Sequence, residues 1–200
     1  MRNIRTEVFL WVNVLLVAAL WGSAIVFFSP TPRVGWHAIK LLPEVVTGYS
    51  LIVLLFTQFA WRWPIFAGWL VPFPNLQGTW RGQITPSADA AATNIDAILV
   101  IRQDFRTMRC TVFTAESVSN STTAAFESVE ESDALRVTYV YFNRPRTAIR
   151  DRSAMHDGAA ALTYSPEINQ LAGEYWTSRK TTGELHFVFE TRTLATAFSG

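Results

Sequence analysis

The sequence predicts a two-helix transmembrane anchor over residues 1–75, followed by an all-β domain over residues 76–200. The β domain is expected to be a small up-and-down antiparallel barrel of eight strands. Three observations predict this. Two long apolar runs fall in the first third of the chain, period-two alternation begins after Phe73–Asn75, and no helical period of useful length follows Ile84. Half of the 200 residues are apolar and only 16% are charged, which is low for a wholly soluble chain. The single cysteine, Cys110, excludes an internal disulfide framework and mildly favours a reducing compartment.

Val8–Phe28 is the first expected span, interrupted only by uncharged Asn13 and Ser23, and is long enough to cross about 30 Å of hydrocarbon. Arg2 and Arg5 ahead of an apolar run also fit a cleaved signal peptide. The length of the run and the second apolar segment behind it favour an anchor. Ser29–Pro43 is a proline-containing connection, and Val45–Trp63 is the second expected span, broken by Pro64. Ile65–Phe73 is too short to cross and suits the interface. Six of the eight tryptophans (11, 21, 36, 61, 63 and 69) lie in this part of the chain, several near span ends, where amphipathic rings settle. Arg2, Arg5, Arg62 and Arg81 flank the outer ends, against Arg33 and Lys40 between the spans. The positive-inside rule then places both termini in the cytoplasm. Asn13, Gly22, Ser23 and Gly48 are either helix–helix contact residues or tolerated small and weakly polar residues.

The β domain opens on Leu76–Ile84, where Leu76, Gly78, Trp80 and Gly82 share one face. Further strands are expected at 95–105, 108–114, 119–126, 135–142, 159–164, 171–179 and 185–194. An acidic turn (Glu127, Glu130, Glu131, Asp133) and the hairpin loop Arg179–Gly183 fall between them. An eight-stranded barrel is just wide enough to be filled by side chains or to hold one small ligand. Residues 76–200 carry 12 basic and 14 acidic side chains, so no basic face for DNA or RNA is expected.

A search for chemistry finds no catalytic set. His37, His156 and His186 have no metal-type spacing, and no phosphate-binding glycine loop or nucleophile motif occurs. Neither enzymatic activity nor a metal centre is expected. Ligand binding has more support. Tyr139, Tyr141 and Tyr175 fall on interior faces, with Gln103, Thr177 and Arg179 as convergent polar groups. Arg144, in the basic stretch 143–152, and Thr182 complete the candidate ligand-binding set. Each tyrosine is equally what an ordinary barrel core would hold, and the basic stretch also suits lipid headgroups or a solvated loop. Gly78-Thr79-Trp80 and Arg192 are similar to the base of a lipocalin-like barrel, where an arginine from the last strand packs on the tryptophan of the first. Trp80 and Arg192 are therefore expected to close the barrel, a cation–π contact worth about 0.5–2 kcal/mol.

Two spans, then Leu76-Gln77-Gly78-Thr79-Trp80-Arg81-Gly82, then Gly173-Glu174-Tyr175 and Gly183-Glu184-Leu185, resemble one bacterial family. It is the two-transmembrane β-barrel effectors of CBASS anti-phage defence, partners of cyclic-oligonucleotide synthases. The resemblance implies a barrel that binds a cyclic dinucleotide made by a cognate nucleotidyltransferase after infection. It also implies ligand-driven self-association of the membrane segments in the inner membrane, bilayer disruption and cell death. Two other readings of the residues stay open: a membrane-tethered carrier of a small apolar ligand, and a filled structural barrel.

Overall fold

The computed structural model describes residues 6–28, 40–87, 94–128, 135–151 and 153–199. Arg2, Arg5, Arg33, His37, Glu130, Glu131, Asp133 and Arg152 lie outside this set, as do most of the connection between the helices and residues 88–93. The chain forms two compact units, Met1–Pro74 and Asn75–Gly200.

In the first unit, α1 (Thr6–Phe28) has 23 residues and contains an apolar stretch, Glu7–Phe27, of membrane-spanning length and composition. At 1.5 Å per residue it is roughly 35 Å long. The helix α2 (Leu42–Gln58) has 17 residues, about 25 Å by the same rise. The expected second span at 45–63 is thus not one helix: α2 starts earlier and stops at Gln58, and short 3₁₀ turns follow at Ala60–Arg62 and Pro64–Phe66. Prolines flank this segment on both sides, and Phe59 leaves helical geometry (φ −128°, ψ −54°) where α2 stops. Pro43 sits in the first turn of α2, where its missing N–H costs nothing, whereas Pro64 forces Trp63 into an extended conformation (φ −73°, ψ 137°). Between the helices, Tyr49 Oη donates to Asn13 Oδ1 at 2.6 Å, while Asn13 Nδ2 donates to Phe9 O. Ser23 Oγ donates within its own helix, to Leu20 O. A Cβ on Gly48 would lie 3.6 Å from Leu20 Cδ2, whereas Gly22 has open space beside it. Large apolar side chains such as Trp11, Leu15, Val26 and Phe27 stay exposed on α1.

The second unit is a closed eight-stranded antiparallel barrel: β1 (Gly78–Pro86), β2 (Ile95–Gln103), β3 (Met108–Thr114), β4 (Ser117–Ser128), β5 (Leu135–Pro145), β6 (His156–Ser165), β7 (Gln170–Thr177) and β8 (Thr182–Thr191). Each strand pairs with its sequence neighbours, and β8 returns to β1. Following directly opposed residues gives the stagger. From Trp80 the row passes through Leu99, Val112, Ser119 and Asn143 to His156, climbing from one end of the barrel to the other. Tilted strands in a closed sheet require such a climb.

Side chains fill the lower part of the interior. Trp80 is 1% exposed and packs edge-on to Phe189 and Tyr164, among Leu76, Leu99, Ile101, Leu162, Leu171 and Phe187. The Trp80 indole N–H donates to Leu76 O at 3.0 Å, and Leu76 N–H donates to Gln103 Oε1 at 2.8 Å. Gly78, at φ +150°, makes the bend that leads into this plug, and a Cβ there would meet Thr191 O and the Phe189 ring. Arg192 does not stack on Trp80 as the sequence led us to expect. Its guanidinium lies 4.9 Å from the Phe189 ring centroid and donates to Asn75 O and Gln77 O, so Phe189 stands between the two. The last strand ends at Thr191, and the tail turns back over β1: Thr79 Oγ1 donates to Thr193 O and accepts from Ala195 N–H.

Trp80→Ala is expected to cost about 3–5 kcal/mol of barrel stability. Arg192→Ala, which removes hydrogen bonds from an exposed cation, is expected to cost about 1–2 kcal/mol. Urea unfolding of the full chain in detergent, followed by near-ultraviolet circular dichroism, measures both.

A polar-rimmed cavity at the open end of the barrel

Above this filled half the barrel opens into a cavity of about 620 Å³. Its floor is Val112, Tyr139 and Leu185, and Ile84 and Ile95 form part of its wall. The connection after β5, with its 3₁₀ turn Thr147–Ile149, contributes Ile149 and Ser153. The β7–β8 turn contributes Arg179 and Thr181, and the β3–β4 turn contributes Glu116 and Ser117.

Five of the candidate residues line this space together: Tyr139, Tyr141, Tyr175, Thr177 and Arg179. Strand alternation places Tyr139 and Tyr141 on the same face of β5, with ring centroids 5.9 Å apart and planes inclined by 46°. Two of the tyrosines sit opposite glycines, Tyr141 across from Gly158 and Tyr175 across from Gly183. A Cβ at Gly158 would come within 2.5 Å of the Tyr141 ring, and one at Gly183 within 2.5 Å of the Tyr175 ring, so the missing side chains are what let these rings lie against the wall. Among the described residues no group bonds to the hydroxyls of Tyr139, Tyr141 or Tyr175. Burial pushes the Tyr141 hydroxyl up to about 12 and also raises Tyr139 and Tyr175. All three are neutral donors near neutral pH. At the rim, Thr177 Oγ1 pairs with Thr181 Oγ1 at 2.7 Å, and Arg179 Nη1 reaches Ser153 Oγ at 3.4 Å.

Three candidates lie elsewhere. Gln103 faces inward but at the closed end, where it holds Leu76. Arg144 is exposed on the outside of β5, its guanidinium 5.6 Å from the Phe142 ring centroid. The reason is that β5 continues to Pro145 and its even-numbered residues point outward. Thr182 opens β8 facing solvent, because Gly183 and Leu185 take the inner face, and Thr181 occupies the rim instead. The sequence reading overlooked Asn143, Ser117, Ser119 and His156, all of which line the cavity. For Asn143 the signal was present: it continues the period-two series Val137, Tyr139, Tyr141.

A closed barrel with an apolar-floored, polar-rimmed cavity has the form of a small-ligand binding protein. The family model for "Cap15, cyclic dinucleotide receptor domain" matches residues 71–188. The chain belongs to this family of CBASS effectors. It is also 27% identical over 162 residues to "CD-NTase-associated protein 15" of Staphylococcus schleiferi, covering 76% of this chain and 80% of that protein.

Two outcomes follow from the wall geometry. Gly158→Ala forces the Tyr141 ring away and is expected to cost about 1–3 kcal/mol, with part of the loss recovered in a Tyr141→Ser background; a double-mutant unfolding cycle reads this. A phenol whose pKa rises on folding keeps its proton in the native state after the unfolded chain has lost it. Its stabilising effect is complete below pH 10 and disappears as pH climbs to about 12. Absorbance at 295 nm in that window is expected to show fewer tyrosinates in the native protein than in urea.

Proposed function

We propose that the barrel is the cyclic dinucleotide receptor of a membrane-bound CBASS effector. One observation carries the reading: in a chain of this family, the cavity holds three tyrosine rings whose hydroxyls have no partner among the described residues, with Arg179 at its rim. Flat ring faces suit nucleobases, and a guanidinium suits phosphate. The volume lies in the range of about 300–1,000 Å³ usual for small-molecule sites. An apolar-ligand carrier is less well matched, since the polar rim groups would be desolvated without gaining partners.

The exposed apolar surface of α1 suits lipid, and in this reading α1 and the shorter α2 together make a membrane hairpin with both termini in the cytoplasm. The short α2 is accommodated by local bilayer thinning or by the 3₁₀ turns that follow it. One hairpin per chain is too small to breach a membrane. Ligand binding therefore acts by assembling copies, whose helices disrupt the inner membrane and kill the infected cell. The ligand arrives from a cognate nucleotidyltransferase and is bound without turnover.

Isothermal titration of the full chain in detergent with a panel of cyclic dinucleotides is expected to give sub-micromolar binding of at least one, about −8 kcal/mol or better. Arg179→Ala and Tyr175→Ala are expected to weaken it by about tenfold or more, the loss of one charged or stacked contact. Binding of none would return the weight to an apolar carrier, which lipid extraction would reveal. Gly22→Leu, which fills the open space beside α1 without meeting α2, is expected to reduce ligand-dependent oligomer size on gel filtration; unchanged size would count against assembly through this face.

A further inference from the structure

The aromatic rings and Arg179 account for holding a nucleotide but carry no information about which base is present. One buried cluster in the same cavity is unused. Asn143 is 8% exposed and lies between Ser119 on β4 and His156 on β6, two positions along β5 from Tyr141. Its Nδ2 donates to Ser119 Oγ at 2.8 Å and to Ser117 Oγ at 3.0 Å, and Ser117 Oγ pairs with Thr114 Oγ1 at 3.1 Å. Both amide N–H groups are thus engaged, and no described residue donates to Asn143 Oδ1. Thr114, Ser117, Ser119 and Asn143 all line the cavity, and Asn143 is the buried amide among the described lining residues.

We propose that Asn143, held by Ser117 and Ser119, reads the hydrogen-bonding edge of one nucleobase of the bound cyclic dinucleotide. The inference rests on the receptor reading above. A base packed against Tyr139 and Tyr141 presents its edge toward the rim on the β5 side, where Asn143 stands directly above Tyr141. The carbonyl Oδ1 accepts from a ring or exocyclic N–H, and the Ser119 hydroxyl, which already accepts from Asn143, keeps its proton to donate to a neighbouring acceptor. The amide is fixed by two hydrogen bonds before the ligand arrives, so a base with the wrong edge leaves buried polar atoms unpaired. That penalty makes a polar site selective, whereas stacking tolerates every base.

The test titrates cyclic di-AMP, cyclic di-GMP and cyclic di-UMP into the full-length wild type, Asn143→Ala, Ser119→Ala and Arg179→Ala in detergent, with thermal unfolding to establish that each variant is folded. Asn143→Ala is expected to weaken the best ligand by about tenfold or more while leaving the poorest nearly unchanged, so the spread of affinities collapses. Ser119→Ala is expected to do the same to a smaller degree, since it only loosens the amide. Arg179→Ala is expected to lower all affinities by a similar factor. Equal losses across the panel for Asn143→Ala, or no loss in both Asn143→Ala and Ser119→Ala, would overturn the base-reading role and leave the receptor reading standing. Failure of the wild type to bind any cyclic dinucleotide would instead remove the reading on which the role rests.

Discussion

The pairing of β8 with β1 is the constraint on which the rest of the barrel depends. Once eight strands must meet edge to edge, their tilt and stagger are no longer free. The stagger decides depth: residues opposed one after another from Trp80 rise through the wall and finish at Asn143 and His156 on the rim. Large side chains near the start of that row fill the base, and small polar ones near its end leave room. The cavity is therefore a product of closure plus a gradient in side-chain size, with the β3–β4, β5–β6 and β7–β8 connections completing its rim.

Local alternation was enough to find the barrel and to say which way most strand residues face. It could not say how deep they sit. Gln103 shows the difference: its inward orientation is legible from Ala97, Leu99 and Ile101, yet its place at the closed end follows from the inter-strand stagger, which no short window encodes. Arg144 and Thr182 went astray for a more local reason. The strands run further than their β-forming residues advertise, and each extra residue reassigns a side chain to one face or the other. Arg192 shows a third limit, since Phe189, which takes the cation, lies between it and Trp80 and is one aromatic among many in the sequence. In the helical unit, composition marked both apolar segments, but hydropathy did not reveal that α2 stops at Gln58, where Phe59 leaves helical geometry (φ −128°, ψ −54°), or that Trp63 ahead of Pro64 is extended.

The cavity divides its work by chemistry. Rings on β5 and β7 supply area, and the cross-strand glycines set the angle at which two of them lie. The β7–β8 turn supplies positive charge, and the β3–β5 side supplies directional hydrogen bonds. These elements sit on different hairpins, so a ligand that satisfies all of them at once adds to the rim contacts that already join strand ends, such as Arg179 with Ser153 and Arg146 N–H with Glu116 O.

Asn75 leads into the barrel and the tail beyond Thr191 leaves it at the same closed end, where Arg192 ties the two together. The rim hairpins are consequently dead ends of the chain, and none carries the connection to another part of the protein. Their lengths and tips are free to change without rerouting the backbone or disturbing the plug. The architecture separates two properties: exchanging a rim turn such as the one bearing Arg179 alters the charge at the mouth, while Tyr139, Tyr141 and Asn143 stay fixed in the strand wall.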